Sequence, residues 1–262
     1  MPQHILVAHD LSPEADLALQ RAARLARQSG SRLSLLHVQS AQLAAGSDDL
    51  RRQLEERLAA CVLPRAELVL RHGPVAEEIL RQARGLEADL LVLGAHHRGS
   101  PEGFAGTTLE RILQRSPAPV LLAVGDSPWQ RALVALDFSP CASRALRQAA
   151  RLLEPGARLH ALHVEEVAPL HAGDDPEELA FESELFEHLV AEERARLPGG
   201  LQLSHELRAG ERSACLQAVL AEQRPQLLAL GSHSRGELAD ALLGSLTLEC
   251  LRHPPCDVLV AR

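Results

Sequence analysis

The sequence of 262 residues contains no Lys, no Asn and no Tyr, so all 27 of its basic side chains are Arg. Without Lys, it has neither a Walker-type phosphate loop nor Schiff-base chemistry. Without Asn, it has no N-glycosylation site and no Cys-His-Asn protease centre. Aromatic residues make up 2% of the chain and the formal net charge is −8. Because non-specific nucleic-acid binding uses stacking rings and a basic field, we expect no nucleic-acid partner.

Cysteine is also sparse, with five residues and no CxxC pair, which favours reduced thiols over a disulfide framework. The N-terminus shows no basic segment followed by an apolar core, and no apolar run approaches the roughly 18 residues of a membrane span. These features predict a soluble, cytoplasmic protein with no membrane partner. Cys250, His253 and Cys256 have a spacing that three metal ligands could use. They lack an obvious fourth ligand, and small buried thiols are common at a helix end, so we predict no metal site.

The chain contains an internal duplication. Residues 5–38, which run from ILVAHD to LLHV, resemble residues 132–164, which run from ALVALD to ALHV. Farther along the chain, DLLVLG (89–94) resembles QLLALG (226–231), so the repeated stretches occur in the same order in both halves. The duplication predicts two domains, residues 1–125 and 126–262, joined by the short GDSPWQ segment.

Within each half, short apolar runs alternate with segments of helical periodicity, which is typical of βαβ units around a parallel sheet. In the first half the runs predict strands near residues 4–9, 32–38, 66–72, 89–94 and 119–124. The Ser-Pro pairs at 12–13 and 139–140 each supply an N-cap and a first helical residue. The sequence therefore predicts an α/β fold.

Candidate ligand-binding positions follow the strands. In the first half, strands one, two and four end at Asp10, Val38 and Gly94. The equivalent positions in the second half are Asp137, Val164 and Gly231. In an open α/β sheet, ligands bind beyond the carboxyl ends of the strands, where the strand order reverses. The sequence does not fix that order.

Each half resembles a universal stress protein domain, and the whole chain resembles a tandem member of that family. The family's ATP-binding motif reads Gly, two residues, Gly, nine residues, Gly, then Ser or Thr. In the second half this spacing is intact from Gly231 to Gly244 and Ser245, although Ser234 replaces the middle glycine. The first half departs further, because His97 takes the middle position and Gly106 with Thr107 arrives one residue early.

Gly244 and Ser245 open a helix, and the N–H groups and dipole of a helix N-terminus favour an anion. Because the chain has no Lys, a phosphate there would be held by backbone N–H groups, hydroxyls and Arg235. The alternative is that Gly244 only lets the helix start close to the strand. For Thr107, simple N-cap preference is the alternative.

The resemblance implies two Rossmann-like or flavodoxin-like domains, each a five-stranded parallel sheet with helices on both faces. It also implies an adenine nucleotide (ATP, ADP or AMP), with or without Mg²⁺, bound mainly by the second domain. The implied nucleotide-binding residues are Asp137, Val164, Gly231, Ser232, Ser234, Arg235, Gly244 and Ser245, and weaker candidates are Asp10, Val38, Gly94, Gly106 and Thr107. Alternatively, the aspartates cap the turns that follow them and the valines belong to the core.

The implied role is that of a stress-response sensor or adaptor with an unidentified protein partner. A duplicated chain resembles the family's dimer within one molecule, and a homodimer of the chain is a further option. The sequence has no nucleophile elbow and no paired carboxylates with an evident acid–base task, so we predict no enzyme. Two alternatives stay open: a member that binds no nucleotide and acts through protein contacts, and a slow ATPase.

The second half differs from the first by an acidic insertion near residues 165–195, which carries eleven acidic residues and no Arg before Arg194. Phe181, Leu185 and Leu189 form a line at spacing four, which predicts the buried face of a helix. A solvated acidic face is one interpretation. A flap over the second site or a partner-docking helix is the other.

Overall fold

The chain forms two compact units, Met1–Asp126 and Ser127–Arg262. The structure, a computed structural model, describes residues 1–39, 47–95, 108–166, 176–232 and 243–262, without the side chains of residue 47 and residues 176–179. Each unit is an α/β domain with five parallel strands. None of the helices described in these ranges is long and apolar enough to cross a membrane.

Unit 1 alternates strands and helices along the chain. Its elements are β1 (His4–Ala8), α1 (Pro13–Ser29), β2 (Arg32–Gln39), α2 (Ser47–Ala60), β3 (Ala66–His72), α3 (Val75–Gly85), β4 (Leu90–Gly94), α4 (Thr108–Arg115) and β5 (Val120–Ala123). The strand order is β3-β2-β1-β4-β5. The order therefore reverses between β1 and β4, which opens a crevice at their carboxyl ends.

Unit 2 repeats this plan. Its elements are β6 (Arg131–Ala135), α5 (Pro140–Leu152), β7 (Arg158–Glu165), α6 (Pro176–Arg194), β8 (Gln202–Ala209), α7 (Arg212–Gln223), β9 (Leu227–Gly231), α8 (Ser245–Arg252) and β10 (Asp257–Ala261). The strand order is β8-β7-β6-β9-β10, so the reversal falls between β6 and β9.

Right-handed crossovers place the first two helices of each unit on one face of the sheet and the last two on the other. Polar contacts between neighbouring helices agree with this arrangement. They are Arg57 Nε to Asp16 Oδ1 (2.9 Å, α2 to α1), Arg147 Nε to Glu193 Oε2 (3.2 Å, α5 to α6) and Ser213 Oγ to Glu249 Oε1 (2.6 Å, α7 to α8). Each sheet is consequently covered on both sides, which explains why strands such as β4 and β9 are apolar almost without alternation. The outermost strands β3 and β8 are more polar and less buried.

Helix α6 buries a different face from the one that the sequence predicted. Phe181 and Leu185 are 60% and 40% exposed, whereas Phe186 and Val190 are 1% and 2% exposed. The prediction from the Phe181, Leu185 and Leu189 line was therefore wrong. The physical reason is that the Phe186 ring packs against the rings of His163 on β7 and His205 on β8. This packing turns Phe186 and Val190 toward the sheet, each one residue after a position of the predicted line.

At the end of β1, His9 is buried and carries a pH-dependent contribution to stability. Its Nε2–H donates to Asp16 Oδ1 (3.0 Å), and its Nδ1 accepts from the Leu11 N–H (3.0 Å), which fits a neutral ring. Burial lowers the pKa of His9, although the hydrogen bond and charge of Asp16 oppose this shift. The equivalent position in unit 2 is Leu136.

We predict that His9→Leu reduces the loss of stability on acidification. The unfolded chain takes up the His9 proton near its ordinary pKa and the folded chain only at lower pH, so this stability is present above about pH 6.5 and declines below it. Urea unfolding of both proteins at pH 7 and pH 5 measures the effect. If the free energy of unfolding falls between pH 7 and pH 5 by no more in the wild type than in His9→Leu, this role for His9 is contradicted.

Candidate functional site

A cavity of about 260 Å³ lies at the carboxyl ends of β6 and β9, where the strand order of unit 2 reverses. Five of the residues predicted to bind nucleotide line it: Asp137, Val164, Gly231, Gly244 and Ser245. The volume is near the lower end of the range for small-molecule sites. The cavity therefore suits a ligand closer in size to a mononucleotide than to a dinucleotide.

Asp137 also orders the turn that leads into α5. Its Oδ1 accepts from the Ser139 N–H (3.0 Å), and Phe138 between them has a positive φ of 61°. In unit 1, Asp10 makes the same bond to the Ser12 N–H (3.1 Å). A bulky residue rarely adopts positive φ unless its surroundings hold it there, so each turn is fixed in place by its aspartate.

Gly231 is required by packing as well as by its place at the cavity. A Cβ on Gly231 would lie 2.8 Å from the backbone nitrogen of Ala142 at the start of α5. In unit 1, a Cβ on Gly94 would lie 2.6 Å from backbone atoms of Glu14 at the start of α1. The first glycine of the motif therefore lets a helix N-terminus approach the sheet in both units, whether or not a phosphate binds.

The N-terminus of α8 opens onto the cavity with Gly244 as its N-cap. Gly244 has no side chain to cap the helix, and its own N–H donates to the Ser232 carbonyl (3.1 Å). This corrects the expectation that the Gly244 N–H faces an anion. The N–H groups of the first helical turn, beginning at Ser245, remain directed outward because an α-helix has no internal acceptor for them.

The structure does not bring every predicted residue to the cavity. Ser232 is fully buried, and its N–H donates to the Ala261 carbonyl (2.8 Å), so its backbone supports the end of β9. Four further predicted residues lie outside the described part of the chain: Ser234, Arg235, Gly106 and Thr107. In unit 1, Asp10, Val38 and Gly94 occupy the corresponding strand ends.

Sequence reasoning missed a cation at the cavity. Arg212 begins α7 and lines the cavity, where its guanidinium donates to Glu166 Oε2 (2.6 Å). Glu211 caps the same helix by accepting from the Ser213 and Ala214 N–H groups, and these bonds lower its pKa. The available signal was a difference between the repeats, since the first half has Gly-Pro-Val where the second has Gly-Glu-Arg.

The thiols near the C-terminus are held in their neutral form. Burial raises the pKa of both Cys250 and Cys256 to about 12. In the described ranges, these two residues and His253 are not among the groups whose ligand atoms converge as around a metal ion. Metal binding would require deprotonated thiols, so burial opposes it.

These features define a class: an α/β protein with two duplicated domains, one of which has a ligand-sized crevice at the switch point of its sheet. The sequence model of the universal stress protein family matches residues 1–123 and again residues 128–262. The chain belongs to that family, as a member with two domains in tandem.

Individual relatives agree with this assignment. A universal stress protein of Thermus aquaticus is 33% identical over 131 residues, covering 45% of this chain and 96% of that protein. A universal stress protein A homolog of Coxiella burnetii is 26% identical over 135 residues, covering 45% and 94%. Among solved structures, a universal stress protein from Archaeoglobus fulgidus has a TM-score of 0.72 at 22% identity and covers 99% of this chain and 98% of its own. At 22% identity, the similarity to the Archaeoglobus fulgidus protein shows that the fold is shared and carries no further information about function.

Proposed function

We propose that this protein binds an adenine nucleotide in unit 2 and acts as a stress-response sensor or adaptor. The observation that carries the proposal is the cavity at the switch point, because it collects Asp137, Val164, Gly231 and the N-terminus of α8 at one place. The intact glycine spacing in this half adds to it. Unit 1 departs from the motif in both spacing and composition, so unit 2 is the better candidate.

The donors at the cavity suit a phosphate. Outward N–H groups at the start of α8 and the partial positive charge of the helix end favour an anion. The hydroxyl of Ser245, which is exposed, provides a further donor. Arg212 is paired with Glu166 and can exchange this partner for a phosphate, since guanidinium groups bind both anions in a bidentate manner.

A binding role rather than catalysis is part of the proposal. Asp137 is the carboxylate that faces the cavity from the end of β6, and its Oδ1 accepts from the Ser139 N–H. This bond commits one carboxylate oxygen to ordering the turn before α5, so Asp137 has a structural task at the cavity. The corresponding test is the rate of phosphate release from ATP, which we expect to stay at the level of protein-free buffer.

The direct test is to denature the purified full-length protein and identify any released nucleotide. Calorimetric titration of the nucleotide-free protein with ATP, ADP and AMP, with and without Mg²⁺, then measures affinity. We expect saturable binding of at least one of them. No released nucleotide together with no heat of binding would overturn the proposal and favour a member that acts through protein contacts alone.

Gly244→Asp is predicted to weaken nucleotide binding by about tenfold or more, because a carboxylate at the helix N-terminus repels a phosphate. The fold should tolerate it, since Gly244 has a φ of −60° and ψ of 147° and Asp is a preferred N-cap residue. Gly244→Asn is the matched control, with the same shape and no charge. Equal affinities of the two variants would show that no phosphate lies at α8.

A further inference from the structure

We propose that unit 2 binds a divalent transition-metal ion between β7 and α6, through His163, Glu165 and Glu182. One ligand atom from each residue lies within 4.8 Å of the other two. His163 Nε2 is 3.8 Å from Glu165 Oε2 and 3.8 Å from Glu182 Oε2. His163 and Glu165 also line the cavity proposed for the nucleotide, so metal binding is to be measured in the absence of nucleotide.

The imidazole is already oriented for a metal. The carbonyl of Leu136 can only accept, so His163 Nδ1 donates the proton of its 2.7 Å hydrogen bond to that oxygen. In a neutral ring this leaves the lone pair on Nε2. A backbone carbonyl that accepts from the second ring nitrogen is the usual support of a metal-bound histidine, because it fixes the tautomer and the ring plane. Phe138 and Phe186 contact the ring at 4.7 Å and 5.4 Å and restrict it further.

Two of the three polar atoms that face one another here have no hydrogen-bond partner in the described part of the chain. His163 is 6% exposed, and its Nε2 has no partner within the described structure. Glu182 Oε2 is buried as well and is likewise without one. Three acceptors directed at one point, two of them on ionised carboxylates, repel one another in a poorly solvated site. A bound cation removes that repulsion.

Nearby arginines are engaged elsewhere. Arg212 pairs with Glu166, and Arg147 pairs with Glu193. In the portion of the chain that the structure describes, the ion pairs of Glu165 and Glu182 both lead to His163. Among the described residues, neither carboxylate forms an ion pair with a guanidinium, unlike Glu192 and Glu193 of α6, which both pair with Arg196.

The ligand set and its dimensions favour a transition metal. Ligand atoms around a tetrahedral Zn²⁺ lie about 3.4 Å apart, because each is about 2.0–2.2 Å from the ion. The two 3.8 Å separations from His163 need a contraction of about 0.4 Å, and the separation between the two glutamates, which is within 4.8 Å, needs about 1.4 Å at most. Both glutamates are partly exposed, at 33% and 21% of their side chains, and can make this movement. An imidazole nitrogen with two carboxylates suits Zn²⁺, Fe²⁺ or Mn²⁺ better than Ca²⁺ or Mg²⁺, which prefer oxygen alone.

Unit 1 provides an internal comparison. His37 occupies the position of His163 and makes the same bond, from Nδ1 to the His9 carbonyl at 2.7 Å. At the position of Glu165, however, unit 1 has Gln39. Among the described residues, a converging group of possible ligands occurs around His163 and not around His37. The acidic helix thus has a definite task in unit 2, which is to deliver Glu182.

The test is calorimetric titration of the full-length protein with Zn²⁺ in nucleotide-free buffer, after removal of metal with a chelator. We expect the wild type to bind one Zn²⁺ ion per chain tightly. Loss of a second-shell partner already costs about 10–100-fold in affinity, so His163→Gln and Glu182→Gln should each weaken this binding by about tenfold or more. Co²⁺ substitution should give a visible spectrum without thiolate charge-transfer bands. Because no nucleotide is present, failure here is independent of failure of the nucleotide proposal.

Two matched controls sharpen the experiment. Glu187→Gln removes the same charge from an exposed position of α6, and His37→Gln removes the equivalent histidine of unit 1; both should retain the tightly bound Zn²⁺. Far-UV circular dichroism verifies that each variant is folded. Equal Zn²⁺ affinity of wild type and Glu182→Gln, or loss of binding in Cys256→Ser instead, would overturn the proposal. Absence of any tightly bound Zn²⁺ would overturn it as well.

Discussion

Trp129→Ala is expected to lower the free energy of unfolding of unit 2 by about 3–5 kcal/mol, the usual cost of truncating a buried Trp. Trp129 is 7% exposed although it lies in the segment that joins the two repeats. Its indole N–H donates to Asp257 Oδ2 (2.8 Å) at the start of β10, and Asp257 is 2% exposed. The substitution removes apolar packing and takes a donor from a buried carboxylate, so both effects act in the same direction.

Urea unfolding followed by far-UV circular dichroism measures this loss. Trp129→Phe keeps one six-membered ring but loses the N–H donor and the five-membered ring of the indole, so we expect a smaller cost of about 1–3 kcal/mol. A loss below about 1 kcal/mol for Trp129→Ala would show that the joining segment does not anchor unit 2, since surface substitutions typically have effects of that size or less.

Gly231→Ala is expected to destabilise unit 2 by about 1–3 kcal/mol, the range for adding a methyl group where no space exists. The new Cβ would lie 2.8 Å from the Ala142 nitrogen and 3.1 Å from the Cys141 carbonyl carbon. Both atoms are backbone at the start of α5, so the helix itself must move. The same movement alters the cavity, and nucleotide affinity should decrease together with stability.

The fluorescence of Trp129, the single Trp of the chain, follows this transition in unit 2. Gly199→Ala is the matched control, because a Cβ on Gly199 would meet no atom within 4 Å and the substitution should change stability by about 0.5 kcal/mol or less. If Gly231→Ala unfolds at the same urea concentration as the wild type, α5 can move to accommodate the methyl group without a loss of stability.

The duplication made most of the fold predictable. Apolar runs separated by helical periodicity gave the strand positions to within a residue or two, because a strand buried on both faces has a strongly biased composition. The strand order was not predictable from either repeat, since it depends on which strands pair across the sheet. The face of α6 was mistaken for a similar reason: Phe181 and Phe186 are equally apolar, and only the rings on β7 and β8 select between them.

The candidate site likewise contains residues that the sequence could predict and residues that it could not. Its glycines and strand ends were visible because a motif fixes their spacing along the chain. Arg212 and Glu182 lie on helices α7 and α6, outside the motif, where spacing along the chain says little about which side chains meet in space. The role of Gly94 and Gly231 in helix packing also required coordinates, because the close atoms lie about 80 to 90 residues away in sequence.

The hydrogen bond from a histidine on the second strand to the end of the first strand occurs in both units, at 2.7 Å each time. Each copy of a duplicated domain thus has an imidazole with Nδ1 bonded to the backbone, a bond that does not use Nε2. Divergence of the copies then requires no change to the sheet. In the proposed metal site, a glutamate in place of glutamine at the strand end and a longer helix after it account for the difference between the two halves.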